Sequence, residues 1–483
     1  MTDVRTDSAT ALVAALAAGE VSSSELLDAH LERYERWNGE INAVVATDLA
    51  RARQRAAEAD AATARGERWG PLHGLPITVK DSFETEGLVT TSGAPELADH
   101  VPEADARAVA NLKAAGAIVW GKTNLPLYAG DWQSYNAVYG LSRNPWDRSR
   151  TVGGSSGAAA AAVASGITAL ELGSDIGGSI RVPSHFNGTF GHKPTWGAVS
   201  GRGHIPGPPG SLSEADLGVM GPIGRSAADM ELAMDVLTSG GFWGIPGARL
   251  PPARPSAVTL GGCRIGLWLD DPACPVGAQT ARLLADAAEA LEGEGAQLVT
   301  DARTRTPLSE SHLVYKTLLY AAMAPGFPAH VIDTMRAIDT RADPDDPMLS
   351  LARAMTLGHT DWLRLHERRL HIRAEWLQLF ESVDVVLAPI APVPAFPHDT
   401  DTPIDRRVLD VDGDQRPYAS MLVWPGLATL PLLPATAVPV GRTDQGLPVG
   451  LQIVGPPWGD RTTIAVAGHL EGILGGFTPP PEP

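Results

Sequence analysis

The chain has 483 residues, 44% hydrophobic and 19% charged, which is long and apolar enough to bury a sizeable core. A formal charge of −18 makes it a poor partner for nucleic acid or anionic lipid, because both carry the same sign. Two cysteines, Cys263 and Cys274, exclude a disulfide framework or a four-cysteine zinc site, and no apolar run approaches the roughly 18 residues of a membrane span. One bridge across the loop between the two cysteines is conceivable. Two reduced thiols in a cytoplasmic protein is the preferred reading.

Residues 9–18 look faintly like the core of a signal peptide. Asp3 and Asp7 precede them and Glu20 follows, so they read as an amphipathic helix capped by Asp7 or Ser8. Ser22, Ser23 and Ser24 precede a second helix, and 47–65 reads as a third, alanine-rich one. All three look like packing helices. From Gly70 the texture changes. Residues 75–79 form a β-branched strand ending at Lys80-Asp81, 105–115 a helix, and 117–120 a strand ended by Gly121. This alternation predicts an α/β fold with a substantially parallel sheet. A glycine- and serine-rich tract follows over 128–209, enclosing a small-residue run at 158–164 that suits a closely packed helix.

Beyond Arg225, helices are expected at 227–237, 276–294 and 363–380, and strands at 264–268, 297–299 and 383–389. Four prolines make 389–397 extended or turning. The acidic stretches 343–346 and 399–414 read as solvated loops, and 479–483 as a frayed tail. No linker or repeat is visible, which favours a single large domain.

The generic motifs fall away. Val152 to Gly157 lacks the lysine of a phosphate-binding loop, and Ser179 is not in a Gly-x-Ser-x-Gly elbow. His366 and His371 lie on an arginine-rich helix and read as a solvated face, so no metal site is expected. The run Asp175-Ile176-Gly177-Gly178-Ser179 does carry catalytic logic. Two glycines let consecutive N–H groups point into one space, where they could hold an oxyanion beside the serine hydroxyl. The plainer alternative is a tight turn with a capping serine. A second cluster, Gly153-Gly154-Ser155-Ser156-Gly157, lies upstream, and Lys80 lies earlier still. Serine needs a base, and a desolvated lysine can be one whereas arginine stays charged. Only five of the 38 basic residues are lysines, so a lysine retained at 80 fits a group that must shed its proton. A structural salt-bridge lysine is the alternative.

Together these runs resemble the amidase signature family of serine hydrolases. The matching pieces are Gly74 to Asp81, Gly121 to Asn124, Asn144 to Asp147, Gly153 to Gly157, Gly173 to Pro183, Gly191 to Thr195 and Gly446 to Gln452. The resemblance implies a central mixed β-sheet covered by helices on both sides. It divides the chain into packing helices (1–65), a signature core (70–225), a variable substrate-pocket region (226–380) and the C-terminal part of the same sheet (381–475). It implies a catalytic triad of Lys80, Ser155 on a cis peptide, and the nucleophile Ser179. The N–H groups of Ile176, Gly177, Gly178 and Ser179 would form the oxyanion hole, with Asp175 and Arg181 bracing it. Ala129, Gly130 and Asp131 would lie on the pocket loop, with Tyr128, Trp132, Tyr135 and Trp196 as aromatic walls and 307–361 shaping the rest. The family usually continues Gly-Ser-Ser-Gly-Gly-Ser, whereas Ala158 and Ala159 follow Gly157 here, so altered local hydrogen bonding is expected with the triad untouched.

The implied activity is hydrolysis of small hydrophobic or aryl amides through an acyl-enzyme, with carbamate (urethane) and ester cleavage alongside. No cofactor, nucleic acid or membrane is called for, and a homodimer is compatible. Two rivals stand: an amidotransferase A-type subunit releasing ammonia from glutamine for tRNA-dependent transamidation, and a non-catalytic binding protein on the same fold.

Overall fold

Side chains alternate between the two faces of a strand. In Val385–Pro389 this sends Val385 and Leu387 into one apolar core and Val386 and Ala388 into another. The strand is one of eleven in a single sheet with helices on both faces, seen in a computed structural model that describes residues 2–207, 209–240, 249–327, 329–338 and 347–483. The acidic stretch 343–346 lies outside these residues.

In spatial order the strands are Val44–Thr47, Ile118–Thr123, Pro76–Lys80, Glu171–Asp175, Val219–Gly224, Phe190–Lys193, Ala435–Arg442, Pro448–Val454, Val385–Pro389, Arg264–Leu267 and Gln297–Val299. Pro76–Lys80 runs parallel to both its neighbours, and so does Arg264–Leu267. The other neighbouring pairs are antiparallel. The sheet is therefore mixed rather than substantially parallel. Strand–helix–strand units build its flanks, but Ala435–Arg442 and Pro448–Val454 are joined too closely for the crossover that parallel pairing needs.

One face is covered by Ala9–Ala18, Ala227–Leu237, Ala278–Gly293 and Asp460–Leu474 over the larger core. The opposite face carries Gly157–Ala164, Leu308–Met323, His359–Ser382 and Val423–Thr429. Ser8 caps the first helix by accepting the Ala11 N–H, and Ser22 and Glu25 form a reciprocal capping box at Ser23–Ile41.

Several boundaries differ from expectation. Thr47 ends a strand alongside Ile118–Thr123, and the third helix starts at Leu49 under the cap of Asp48. Gly121 does not end its strand, which runs on to Thr123. A Cβ there would sit 2.9 Å from Val44 Cγ1, so glycine admits the neighbouring strand. The stretch 399–414 is only partly loop, because Val408–Val411 pairs with Asp414–Pro417 and buries Leu409 and Val411. The tail is held rather than frayed: the Glu482 carboxylate lies 2.9 Å from Arg33 and 3.0 Å from Arg36. Both cysteines are buried free thiols. Among the described residues no helix is long and apolar enough to cross a membrane.

Candidate active site

The strand Pro76–Lys80 delivers Lys80 to a fully buried position at its end. Its parallel neighbour Glu171–Asp175 carries Ser174 to the same place. Lys80 Nζ lies 2.6 Å from Ser155 Oγ and 2.9 Å from Ser174 Oγ, so both its hydrogen-bond partners are hydroxyls. Burial pushes the lysine down to about 7, against the pull of Asp175 and Glu171.

Ser155 follows a cis Gly154–Ser155 peptide and leads into the helix Gly157–Ala164. A Cβ on Gly154 would meet the Asp131 carbonyl oxygen at 2.2 Å. Glycine is required there, and the same contact seats the turn at 129–131 beside Ser155. Ser179 lies between Glu171–Asp175 and the short helix Arg181–Asn187. Its backbone carbonyl accepts the Ser156 N–H at 3.1 Å, which ties its turn to the residue after Ser155. Ser155 and Ser179 are both nearly inaccessible, at 1% and 6% exposure.

The turn around Ser179 is braced from below. Asp175 accepts the N–H groups of Gly178 (3.0 Å) and Ile180 (3.1 Å), and Arg181 grips both its oxygens at 2.8 and 3.0 Å. Burial alone would raise Asp175, but Arg181 holds it at about 2 and therefore ionised. Arg181 continues to Gln452 Oε1 (2.7 Å) and Thr429 Oγ1 (2.9 Å), which brings the 446–452 run into the site. The Gly178 N–H serves Asp175, so of the four donors expected for an oxyanion cradle it is already taken.

The carbonyls of that cradle are pinned from the other side. The Tyr315 hydroxyl donates to Ile176 O at 2.6 Å, and Trp132 Nε1 donates to Gly177 O at 3.0 Å. The N–H and C=O of a planar trans peptide point in opposite directions, so the Tyr315 bond aims the Gly177 N–H away from the helix Leu308–Met323. Leu422 lies over the cradle, its Cδ2 3.3 Å from where a Gly177 Cβ would be. Trp132 and Ile176 pack against the cluster containing Tyr315, Leu422 and Trp424, so the surroundings are apolar.

Residues 129–131, the expected pocket loop, turn beside Ser155. Ala129 ends the turn Leu127–Ala129 and Gly130 is exposed. The Asp131 carboxylate, however, is taken by Arg407 (2.6 Å), the Tyr418 hydroxyl (2.7 Å) and the Trp132 N–H (2.6 Å). These three bonds hold the loop. The polar tips of three expected wall residues also face protein: Tyr128 donates to Glu96, Tyr135 accepts from Arg407, and Trp196 donates to Ala215 O. Sequence reasoning missed Tyr315, Arg407 and Tyr418, whose local sequence is that of an ordinary helix and loop. Ser174 stands inside the 173–183 run and could have been read as facing the lysine strand.

A strand-end lysine on a serine after a cis peptide, beside a glycine-serine turn, defines an amidase-type site. The profile of the family described as Amidase matches residues 25–464, and this chain belongs to the amidase signature family of enzymes acting on C–N bonds. It is 33% identical over 501 residues to the A-type subunit of glutamyl-tRNA(Gln) amidotransferase from Anaeromyxobacter sp. (strain K), covering 97% of this chain and 96% of that one. It superposes with a TM-score of 0.80 on a bacterial aryl acylamidase of the amidase signature family, at 26% identity over 98% of this chain and 97% of the other. A structure from a vestigial protein complex bearing on the origins of an s-triazine catabolic enzyme also gives 0.80, at 28% identity over 98% and 99% of the two chains.

Proposed function

We propose that the protein hydrolyses small apolar or aryl amides through an acyl-enzyme on Ser179. The observation that carries this reading is the 2.6 Å contact between the buried Lys80 Nζ and Ser155 Oγ. Neutral Lys80 takes the Ser155 proton as Ser155 takes that of Ser179, and Ser179 Oγ bonds to the amide carbonyl carbon. The oxyanion is held by the N–H groups of Ile176, Gly177 and Ser179. As the C–N bond breaks, Ser155 gives its proton to the leaving nitrogen and recovers one from Lys80. An amine departs, and water then releases the acid by the same relay. Carbamates and esters offer the same acyl carbon and extend the substrate range.

Apolar substrate is favoured because Leu422, Trp132 and Ile176 surround the cradle, while Asp131, Asp175 and Arg181 are already paired. The reading has the chain working in the cytoplasm on a small molecule, alone or as a homodimer. A second reading, an A-type amidotransferase subunit that releases ammonia from glutamine, is favoured by the names of its curated relatives. It demands partner subunits.

The test is a panel of anilides, aliphatic amides, carbamates, p-nitrophenyl esters and glutamine, run on the purified chain with Ser179→Ala as control. Turnover of anilides by the chain alone supports the first reading. Ammonia released from glutamine only after the addition of partner subunits supports the second. Folded protein whose Ser179 takes no fluorophosphonate label would sink both and leave a binding protein.

A further inference from the structure

The proposed reaction needs more than a neutral Lys80: the amine must turn its single lone pair towards Ser155. Its other neighbour, Ser174, can accept or donate. If the Ser174 hydroxyl donates to Nζ it occupies that lone pair, and the lysine can then only donate to Ser155. The direction of the whole chain is therefore set one step further out. There the structure places His204, whose Nε2 lies 2.9 Å from Ser174 Oγ.

We propose that His204 is a positioning residue: by accepting the Ser174 proton at Nε2, it orders the hydrogen bonds from Ser155 to Lys80 to Ser174 to His204 and leaves the Lys80 lone pair facing Ser155. The inference rests on the acyl-transfer reading above. His204 is brought to this spot by backbone lacing. Glu84 N–H donates to Gly203 O at 2.9 Å and Ile205 N–H to Ser82 O at 2.7 Å, which binds the segment to the loop following Lys80. The Phe83 ring meets the imidazole edge-to-face at 4.9 Å. Lys80 and Lys122 both face it, and burial beside these two amines pushes His204 down to about 3, so it stays neutral and able to accept. Glu171, which burial pushes up to about 8, and Asp175, both on the strand that carries Ser174, complete the titratable groups around the relay. A protonated His204 would donate to Ser174 and reverse the chain.

The experiment measures the rate of fluorophosphonate labelling of Ser179 against pH, which needs no knowledge of the natural substrate. Wild type, His204→Leu, His204→Gln, Ser174→Ala and Ser174→Thr are compared in the full chain, each with its melting temperature. His204→Leu and Ser174→Ala are expected to label at least about tenfold more slowly and to shift the midpoint of the pH profile. His204→Gln, whose carbonyl oxygen can accept the Ser174 proton, and Ser174→Thr should restore both rate and midpoint. Wild-type rate and midpoint in His204→Leu overturn the inference, and so does a His204→Gln as slow as His204→Leu at unchanged melting temperature. Should His204→Leu fail to fold, the Ser174 pair decides: equal slowing in Ala and Thr overturns the inference, and rescue by Thr alone supports it. A wild-type protein that takes no label overturns the acyl-transfer reading and this inference with it.

Discussion

Two lysines sit on adjacent parallel strands, Lys80 opposite Thr123 and Lys122 opposite Val79, and both are fully buried. Burial pushes Lys80 down to about 7 and Lys122 to about 8, so depth alone hardly separates them. Their partners do. Lys122 donates to the Phe83 carbonyl and to the hydroxyls of Thr85 and Thr90, and lies 4.0 Å from Asp81. A carbonyl and a carboxylate can only accept, so the amine there must keep donating. Among the described residues Lys80 hydrogen-bonds only to hydroxyls, which donate as readily as they accept. A proton can cross that pair and leave no bond unmade. On the proposed mechanism, what distinguishes a reactive buried lysine from a structural one is whether its neighbours can reverse roles.

The sharpest way to break this contrast is to replace each amine by an apolar chain of similar length. Lys80→Met is expected to lose at least about a thousandfold in Ser179 labelling and in hydrolysis, with the melting temperature held or raised. Lys122→Met should do the reverse, costing about 3 kcal/mol in a denaturant titration by leaving Asp81 buried without its counter-charge and the Phe83 carbonyl to threonine hydroxyls, while the folded fraction still labels. Equal behaviour of the two variants would end the distinction. Next in size, Arg181→Met leaves Asp175 buried without its counter-charge. A loss of about 3–5 kcal/mol together with loss of labelling is expected, because the carboxylate that orients Gly178 and Ile180 must protonate or move.

The pH profile sharpens the comparison further. In the proposed relay the neutral amine is the base, and burial pushes it down to about 7, so labelling should rise from pH 5.5, pass half-maximum near 7 and level off above it. The same rate across that range would remove Lys80 from the role of base. The smallest effect is expected at the pocket loop. Arg407→Met removes one of the three groups that hold the Asp131 carboxylate and should raise KM for anilides about threefold with kcat little changed, an effect on binding of less than 1 kcal/mol.

The sequence was most legible where chemistry restricts residue choice. Lys80, Ser155 and the turn at 175–179 stood out because glycines, serines and a rare lysine have few reasons to recur together. The strands at 75–79 and 264–268 were legible as short apolar runs, and the helix at 227–237 from residues that recur on one buried face. Val219–Gly224 and Phe190–Lys193 were not, being short, rich in glycine and proline, and held by pairing to distant strands. Tyr315 and Arg407 were illegible for a related reason. Each reaches the site from more than a hundred residues away, Tyr315 to Ile176 and Arg407 to Asp131, and nothing in its own neighbourhood marks the destination.

The helix Gly157–Ala164, which starts two residues after Ser155, is built of alanines with one glycine and one valine, and every one of its residues is buried. Such a wall has no slack: each added methylene would collide with the strands beneath it and tilt the relay that hangs from its first turn. Efforts to retune what the enzyme accepts would therefore waste their libraries there. Leu422 and the helix Leu308–Met323, which reach the cradle from outside the glycine-rich tract, are where altered side chains should change the choice of amide and spare the turnover.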